Sequence, residues 1–241
     1  MKKLIPYIMV LGVLVFSAAT AMAESLRITT VGLPPYGYKD KGEFVGMSYE
    51  IGNALAEKSG YEPNNKLAPL ARAVNDLASG TTDVVIMFPT PNVERVAHSV
   101  GTVMNVQCVV LARSETVLRS ERDLRGKTLA SVRGALYDSG ACKRNGVILQ
   151  PVENYEQGVK MLLARRVDGV IGPRLGLLYT VEKMRLPPKA FGKPFVVTTT
   201  PACLFLSTKS DSPEMRDRLA KALEVLGSDG TIKNIVSKYS L

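Results

Sequence analysis

Short apolar runs bounded by turn residues recur along the chain and are typical of β-strands. They are LRITTVG, DVVIMF, QCVVLAR, KTLASV, DGVIG and PACLFLST. Between them, apolar residues recur every three or four positions, which predicts helices that begin near Met47, Leu70 and Tyr155. Because strands and helices alternate, the sequence predicts an α/β fold with largely parallel sheets.

One segment is repeated in outline. LASGTTDVVIMFP begins at Leu77 and LLARRVDGVIGP begins at Leu162, and each places an Asp before an apolar strand that ends in proline. The offset of 85 residues is too long for a solenoid and suits two lobes of similar construction. A chance recurrence of a common helix-turn-strand unit is the alternative.

The two ends of the chain differ from its middle. Residues 1–23 combine two lysines, a short apolar run and an Ala-x-Ala site, which predicts a cleavable signal peptide; a retained anchor is the alternative. At the other end, Ser212 and Pro213 favour a helix start, and a further helix is expected after GSDG. These closing helices would pack against a lobe whose sheet is formed by earlier segments of the chain.

Charge and cysteine content exclude some functions. The net charge of +9 includes Lys2 and Lys3 of the leader, and an exported chain without Trp or a dense basic run is a poor candidate for nucleic-acid binding. The excess indicates at most a bias toward anionic ligands. Cys108, Cys142 and Cys203 lack metal-ligand spacing. Either one disulfide with one thiol or three buried thiols is possible in an oxidising compartment.

The stretch DVVIMFPTPNVER predicts a strand that ends abruptly in a helix start. Pro89 cannot donate to a sheet, Pro91 suits the first position of a helix, and Asn92 is a possible cap. Unpaired amides at such a start attract an anion. Arg95 follows about one turn later, and a guanidinium binds a carboxylate through two parallel hydrogen bonds.

The ordered set of segments resembles the family 3 extracellular solute-binding proteins, the periplasmic receptors of polar amino acid ABC importers. The segments are LPPYGYKDKGEFVGMSYEIGNALAEKSGY, LASGTTDVVIMF, NVER, DLRGKTLASVRGALY, VDGVIG and SPEMRDRLAKALEVLGSDGTIKNIVSKY. The resemblance implies a type II periplasmic binding protein, with two α/β lobes joined by two crossing strands and a ligand caught between them. Residues 24–107 and 204–241 would form lobe 1, and residues 108–203 lobe 2. Cys108 and Cys203 would lie on the crossing strands, where a disulfide between them is a hypothesis.

The resemblance also assigns contacts in lobe 1. Arg95 would hold the α-carboxylate of the ligand, with Thr90 as the hydroxyl residue beside it. Leu70 would pack against the aliphatic or ring portion, although ordinary helix packing is the alternative, and Tyr36 would lie near the family's aromatic contact. Phe88 stands where a small or hydroxyl residue is common. Arg72 would be either a second cation at the cleft or a surface charge.

In lobe 2 the sequence departs from the family pattern. Gly134 allows close approach of the backbone, and the amides of Ala135 and Leu136 would face the cleft, but the usual hydroxyl residue is absent. Pro173 stands where amino-acid receptors carry an Asp or Glu for the α-ammonium. Either Asp138 or Glu153 substitutes for it, or the ligand is a carboxylate without an ammonium.

These observations predict a monomeric periplasmic receptor that captures a small carboxylate ligand and docks on the membrane permease of an ABC importer. No cofactor, metal or nucleic acid is expected. A dehydratase-like enzyme on the same scaffold is one alternative, but the single His98 has no evident catalytic partner. A ligand-sensing module for a membrane partner is another.

Overall fold

The computed structural model describes residues 24–135 and 139–240, so the predicted signal peptide lies outside it. The strands are β1 Ser25–Val31, β2 Tyr38–Asp40, β3 Glu43–Val45, β4 Glu62–Ala68, β5 Val84–Met87, β6 Ala97–Ala112, β7 Thr128–Val132, β8 Ile148–Val152, β9 Gly169–Pro173 and β10 Phe195–Ser207. The α-helices are α1 Met47–Lys58, α2 Leu70–Ser79, α3 Pro91–Glu94, α4 Ser139–Arg144, α5 Tyr155–Leu163, α6 Arg174–Lys183, α7 Pro213–Ser228 and α8 Thr231–Tyr239. Short 3₁₀ helices lie at Glu121–Leu124 and Pro188–Ala190.

Eight of these strands form one mixed sheet in the order β4-β1-β5-β10-β6-β9-β7-β8. Strand β1 runs parallel to β4 and β5 on one side, and β7 runs parallel to β8 and β9 on the other. The long strands β6 and β10 are antiparallel to each other and join the two parallel groups. The predicted α/β architecture with crossing strands is therefore confirmed.

The crossing strands belong to both halves of the molecule. Strand β10 pairs with β5 over Cys203–Leu206, while β6 pairs with β9 over Cys108–Ala112. The boundaries predicted at 107/108 and 203/204 fall within these strands, and the division into domains stays a prediction. Separate apolar clusters fill the two halves, one around Leu129 and Leu162 and two others around Leu26 and Phe205.

The proposed bond between Cys108 and Cys203 is wrong. In the β6/β10 ladder, Cys108 lies opposite Thr198 and Cys203 lies opposite Thr102. Six strand positions separate Thr102 from Cys108, which is about 20 Å along a strand. The three cysteines are buried, and no disulfide joins any two of them.

The repeated segment corresponds to the same local structure in both halves. The amide of Asp83 donates to the Arg27 carbonyl, and its carboxylate accepts from the Arg27 amide, both over 2.8 Å. Asp168 makes the same reciprocal pair with Thr128, again at 2.8 Å for each bond. Each Asp thus fixes the start of one strand against the first strand of its own half, which supports two lobes of similar construction.

The closing helices pack on the first half, as expected. Helix α7 begins at Pro213, where the Ser212 hydroxyl accepts a hydrogen bond from the Met215 amide over 3.1 Å. Helices α7 and α8 bury Leu219, Leu223 and Ile235 in the same apolar cluster as Leu26. None of the helices in the described part of the chain combines the length and apolar character needed to span a bilayer.

Candidate ligand-binding site

A cavity of about 90 Å³ lies between the two halves, beside the crossing strands. Its first wall comes from the segments after β1 and β5 together with α2 and α3, and its second wall comes from the segments after β7 and β8 and from the end of β9. Residues from both walls and from the crossing strands line it, namely Val31, Leu33, Tyr36, Ser48, Leu70, Ile86, Met87, Phe88, Thr90, Val93, Met104, Val106, Gly134, Ala135, Tyr155, Pro173 and Ala202. The carboxyl ends of strands in open α/β sheets are common places for ligand binding.

The turn after β5 begins a one-turn helix at the cavity. Thr90 has extended backbone geometry and its hydroxyl accepts a hydrogen bond from the Val93 amide over 3.3 Å, with Pro91 at the first helical position. Thr90 is therefore the cap, and the expectation that Asn92 caps this helix is wrong. Since the Thr90 oxygen accepts this bond, its O–H remains a donor for a ligand oxygen.

Arg95 is not among the residues that line this cavity, and its contact with a ligand carboxylate stays a prediction. In α3 the Val93 side chain is buried. Asn92 and Arg95, which are three positions apart, are exposed and lie near each other on the helix surface. The exposed Arg95 guanidinium donates to the Asn92 side chain. Phe88, Thr90 and Val93 reach the cavity, while the Arg95 guanidinium is exposed and bonded to Asn92.

Of three other residues predicted to contact the ligand from lobe 1, two line the cavity and one does not. Phe88 and Leu70 both line the cavity. Arg72 does not, because it lies on the solvent side of α2 with its side chain 67% exposed and bonded to Asp76 over 2.7 Å. Of its two predicted alternatives, the structure places Arg72 as a surface charge. The buried Asp76 carboxylate also lies 2.8 Å from Lys66.

The second wall brings its predicted residues to the cavity with one exception. Gly134 has a positive φ of 82°, which favours glycine, whereas a Cβ added there would make only an ordinary contact, 3.9 Å from the Ala71 Cβ of α2. Ala135 and Pro173 also line the cavity. Leu136 lies outside the described residues, so its predicted contact is neither placed nor contradicted.

Tyr36 reaches from one lobe to the other. Its ring packs against apolar clusters of both halves, and a Cβ added to Gly176 of α6 would lie 3.2 Å from it. The Tyr36 hydroxyl is buried; its O–H has no acceptor among the described residues, while the Gly176 amide lies close enough to its oxygen to act on the pKa of Tyr36. Burial raises the pKa of Tyr36 well above its usual value. A buried donor without a partner costs about 1–3 kcal/mol and is therefore an available contact for a ligand.

The cavity has a largely apolar lining. Among the described residues that line it, none is charged, and the polar side chains are Ser48, Thr90 and the tyrosines Tyr36 and Tyr155. Glu153, one suggested partner for a ligand ammonium, is exposed and instead bonds Arg133 over 3.1 Å. Asp138, the other suggestion, lies outside the described residues. Within the described part of the site, an ammonium has no carboxylate partner.

Sequence reasoning missed several lining residues. Met104 and Val106 lie on the same side of β6, and Tyr155 begins α5 directly after its cap, Asn154. Alternation along VMNVQC was a usable signal for the strand, but the sequence gives no sign that this strand borders a cavity. Ser48 is the second residue of α1, and no feature of the sequence around it indicates a ligand contact.

The described residues offer little for metal or acid-base chemistry. No group of three or more His, Cys, Asp or Glu residues within residues 24–135 and 139–240 is arranged to hold a metal ion. His98 is outside the cavity lining, with its Nε2 3.6 Å from Asp211. Its position on β6 at the protein surface fits the surface role expected from the sequence.

Comparisons with known proteins identify the family. The model of the bacterial extracellular solute-binding proteins, family 3, matches residues 26–241. The chain belongs to this family. The probable amino-acid-binding protein YxeM of Bacillus subtilis (strain 168) is 27% identical over 217 residues, which cover 85% of this chain and 79% of that protein.

Solved structures of similar proteins support the fold. An ancestral arginine-binding protein bound to arginine has a TM-score of 0.76 at 24% identity, covering 90% of this chain and 99% of that one. AncCDT-1, an ancestral amino acid-binding protein and precursor of cyclohexadienyl dehydratase, has a TM-score of 0.73 at 20% identity, covering 90% and 95%. The resemblance seen in the sequence and the two-lobed α/β fold are both confirmed.

Proposed function

We propose that this protein is a periplasmic receptor that captures a small carboxylate-bearing ligand, an amino acid or a related organic acid, for an ABC importer. The observation that supports this most directly is the cavity to which both lobes contribute. Family membership and amino-acid-binding relatives favour the same class of ligand. The signal peptide predicted at residues 1–23 would deliver the protein to the periplasm.

Binding would work by closure of the lobes. Phe88, Leu70 and Tyr36 supply apolar contacts from lobe 1, while Gly134, Ala135 and Pro173 close the opposite side. Thr90 offers its O–H to the ligand, and the closed monomer would dock on a membrane permease. Lobe closure around a ligand is a common switching motion.

The residues that line the cavity favour a ligand that is an acid without an α-ammonium. Burying an ammonium with no partner costs several kcal/mol, and Pro173 supplies no carboxylate. We expect the best ligand to be a monocarboxylate with an apolar body. Capture without turnover is proposed, since catalysis would need a positioned acid or base and none of the described lining residues carries a carboxylate or imidazole.

Thermal denaturation with a ligand panel tests the proposal. The panel pairs each common amino acid with the acid that lacks its amino group, for example leucine with 4-methylpentanoate and phenylalanine with 3-phenylpropanoate. A ligand at 100 times its dissociation constant should stabilise the protein by about 2.7 kcal/mol. If no panel member stabilises the protein, the proposed function is wrong. Mass spectrometry of each hit after incubation would reveal turnover and favour the dehydratase-like alternative.

A further inference from the structure

One end of the lobe 2 sheet lies opposite the cavity. Strand β7 starts beside the starts of β8 and β9, and β6 ends and β10 begins at the same place. The other ends of β7 and β9 lead to Gly134 and Pro173 at the cavity. We call the end away from the cavity the distal end; it is formed by residues 113–127, 143–147, 164–168 and 184–194.

Positive charge is concentrated at the distal end. Its four segments carry twelve Lys and Arg residues against four Asp and Glu residues. Residues 108–203 as a whole carry 16 against 8, whereas the rest of the chain from residue 24 carries 13 against 14. The excess positive charge therefore belongs to lobe 2, and an excess of the same size stands in the distal segments.

The acidic residues of the distal end are already bonded. Glu115 lies 3.0 Å from Arg113 and 3.1 Å from Arg165, and Glu121 lies 3.0 Å from Arg144. The other two acids accept backbone amides over 2.8 Å. Within residues 24–135 and 139–240, several distal cations have neither a side-chain hydrogen bond nor an ion pair, among them Arg122, Arg125, Lys127, Arg166, Lys189 and Lys193.

Large apolar side chains are exposed near these cations. Val117, between β6 and β7, is 63% exposed, and Ile148, the first residue of β8, is 60% exposed. Leu149, Leu163 and Val196 are exposed close to the same end of the sheet. Exposed aliphatic groups interspersed with Lys and Arg are typical of surfaces that bind at the interface of anionic membranes.

A bilayer fits this surface better than an acidic protein does. Protein interfaces are commonly anchored by aromatic residues and are depleted in Lys. Among the described residues of the distal end no aromatic side chain is exposed, since Phe191 and Phe195 are half-buried against the lobe 2 core. The exposed groups come from four separate loops around strand ends, which suits a partner that needs no shape complementarity.

We propose that the distal end of lobe 2 binds the surface of a membrane that contains anionic phospholipids. Its cations contact the lipid phosphates, and Val117 and Ile148 enter the headgroup region. The inference goes beyond the proposed function and does not depend on the ligand. Because the distal end lies opposite the cavity, this orientation leaves both walls of the cavity uncovered.

Co-sedimentation with lipid vesicles tests the inference on the chain from Glu24, which lacks the predicted signal peptide. Vesicles of phosphatidylcholine alone are compared with vesicles that contain about a third phosphatidylglycerol. Each contacting cation contributes about 1 kcal/mol near an anionic surface, so the partition coefficient should be at least roughly a hundredfold higher on the anionic vesicles. It should fall steeply in about 1 M salt, where the screening length is about 3 Å.

Substitutions then locate the contact. The combined variant Arg125→Gln, Arg166→Gln and Lys193→Gln should lower the partition coefficient on anionic vesicles by roughly tenfold to a hundredfold. The combined variant Val117→Ser and Ile148→Ser keeps every charge and should lower it severalfold. All five side chains are exposed, so these changes should leave the thermal unfolding temperature nearly unchanged.

The matched control removes the same charge from three exposed lysines of lobe 1, as Lys58→Gln, Lys209→Gln and Lys233→Gln. It should change the partition coefficient by less than about threefold, because these lysines do not contact the membrane. An equal loss in both triple variants would show that net charge alone drives binding and would overturn the inference.

The remaining outcomes are equally decisive. Equal partition of the wild-type protein onto both kinds of vesicle overturns the inference and leaves an acidic protein as the partner to seek. If the distal triple variant does not fold, Lys193→Gln is compared with Lys233→Gln, and equal partition of these two overturns it. None of these results bears on the thermal panel, which contains no membrane, so the proposed function is tested separately.

Discussion

Changing Pro173 to Asp tests why this site would select an acid without an ammonium. Pro173 ends β9, precedes α6 and is buried at the cavity, where it lies opposite Cys108. An Asp at this position would add one carboxylate to a lining in which no described residue is charged. It would also cap α6, which Pro173 does not.

The expected change in ligand preference follows from the apolar surroundings of Pro173. A buried charge whose partner is removed costs about 3–5 kcal/mol, so the new carboxylate would favour a ligand that brings its own ammonium. For Pro173→Asp we expect the preference between an amino acid and its deaminated acid to move toward the amino acid by about 3 kcal/mol. That corresponds to a change of roughly a hundredfold in the ratio of the two dissociation constants.

Pro173→Asn is the matched control. It supplies the same backbone N–H and a capping side chain of the same shape, but no charge. Calorimetric titrations at pH 7 with leucine and 4-methylpentanoate, or with the best pair of the thermal panel, measure the ratio in each variant. The reasoning is refuted if Pro173→Asp and Pro173→Asn give the same ratio, since the effect would then not be electrostatic.

Three further predictions concern stability and thiols. Asp168→Ala should lower the free energy of unfolding by about 1.5–3 kcal/mol in denaturant titrations, because the Thr128 amide loses a charged acceptor; a loss below 0.5 kcal/mol would contradict this. For Asp76, burial raises the pKa, but the bonds from Lys66 and Arg72 outweigh it and hold the pKa below its usual value of 3.8. Its stabilisation is thus present above pH 3.8 and declines as the pH falls through the lowered value, so Asp76→Asn should destabilise the protein at pH 7 and much less at pH 2. An equal loss at both pH values would count against that assignment. Denatured, unreduced protein should titrate three thiols with a thiol reagent, whereas a count of one would reveal a disulfide.

The parts of the fold that were predictable share a strong local signal. Asp83 and Asp168 stand in matching segments, and each makes the same pair of backbone bonds at the start of a buried strand. Because buried parallel strands are continuous apolar runs, β5 and β9 were visible in the sequence. Strand β4 was missed because its sequence, EPNNKLA, is polar and alternates only weakly. Its hydrogen bonds to β1 determine its conformation.

The site was predictable at the level of segments and less so at the level of side chains. Thr90, Phe88 and Gly134 reach the cavity because turn chemistry fixes where the backbone goes. The direction of a side chain one turn later depends on helix phase, and the Arg95 side chain is exposed and bonded to Asn92.

A crystal structure of the protein with the best acid of the thermal panel tests the central claim most directly. We predict one ligand molecule enclosed between the lobes, with its apolar body against Phe88 and Leu70. A ligand bound on an outer surface of either lobe, with the interlobe cavity empty, would contradict it.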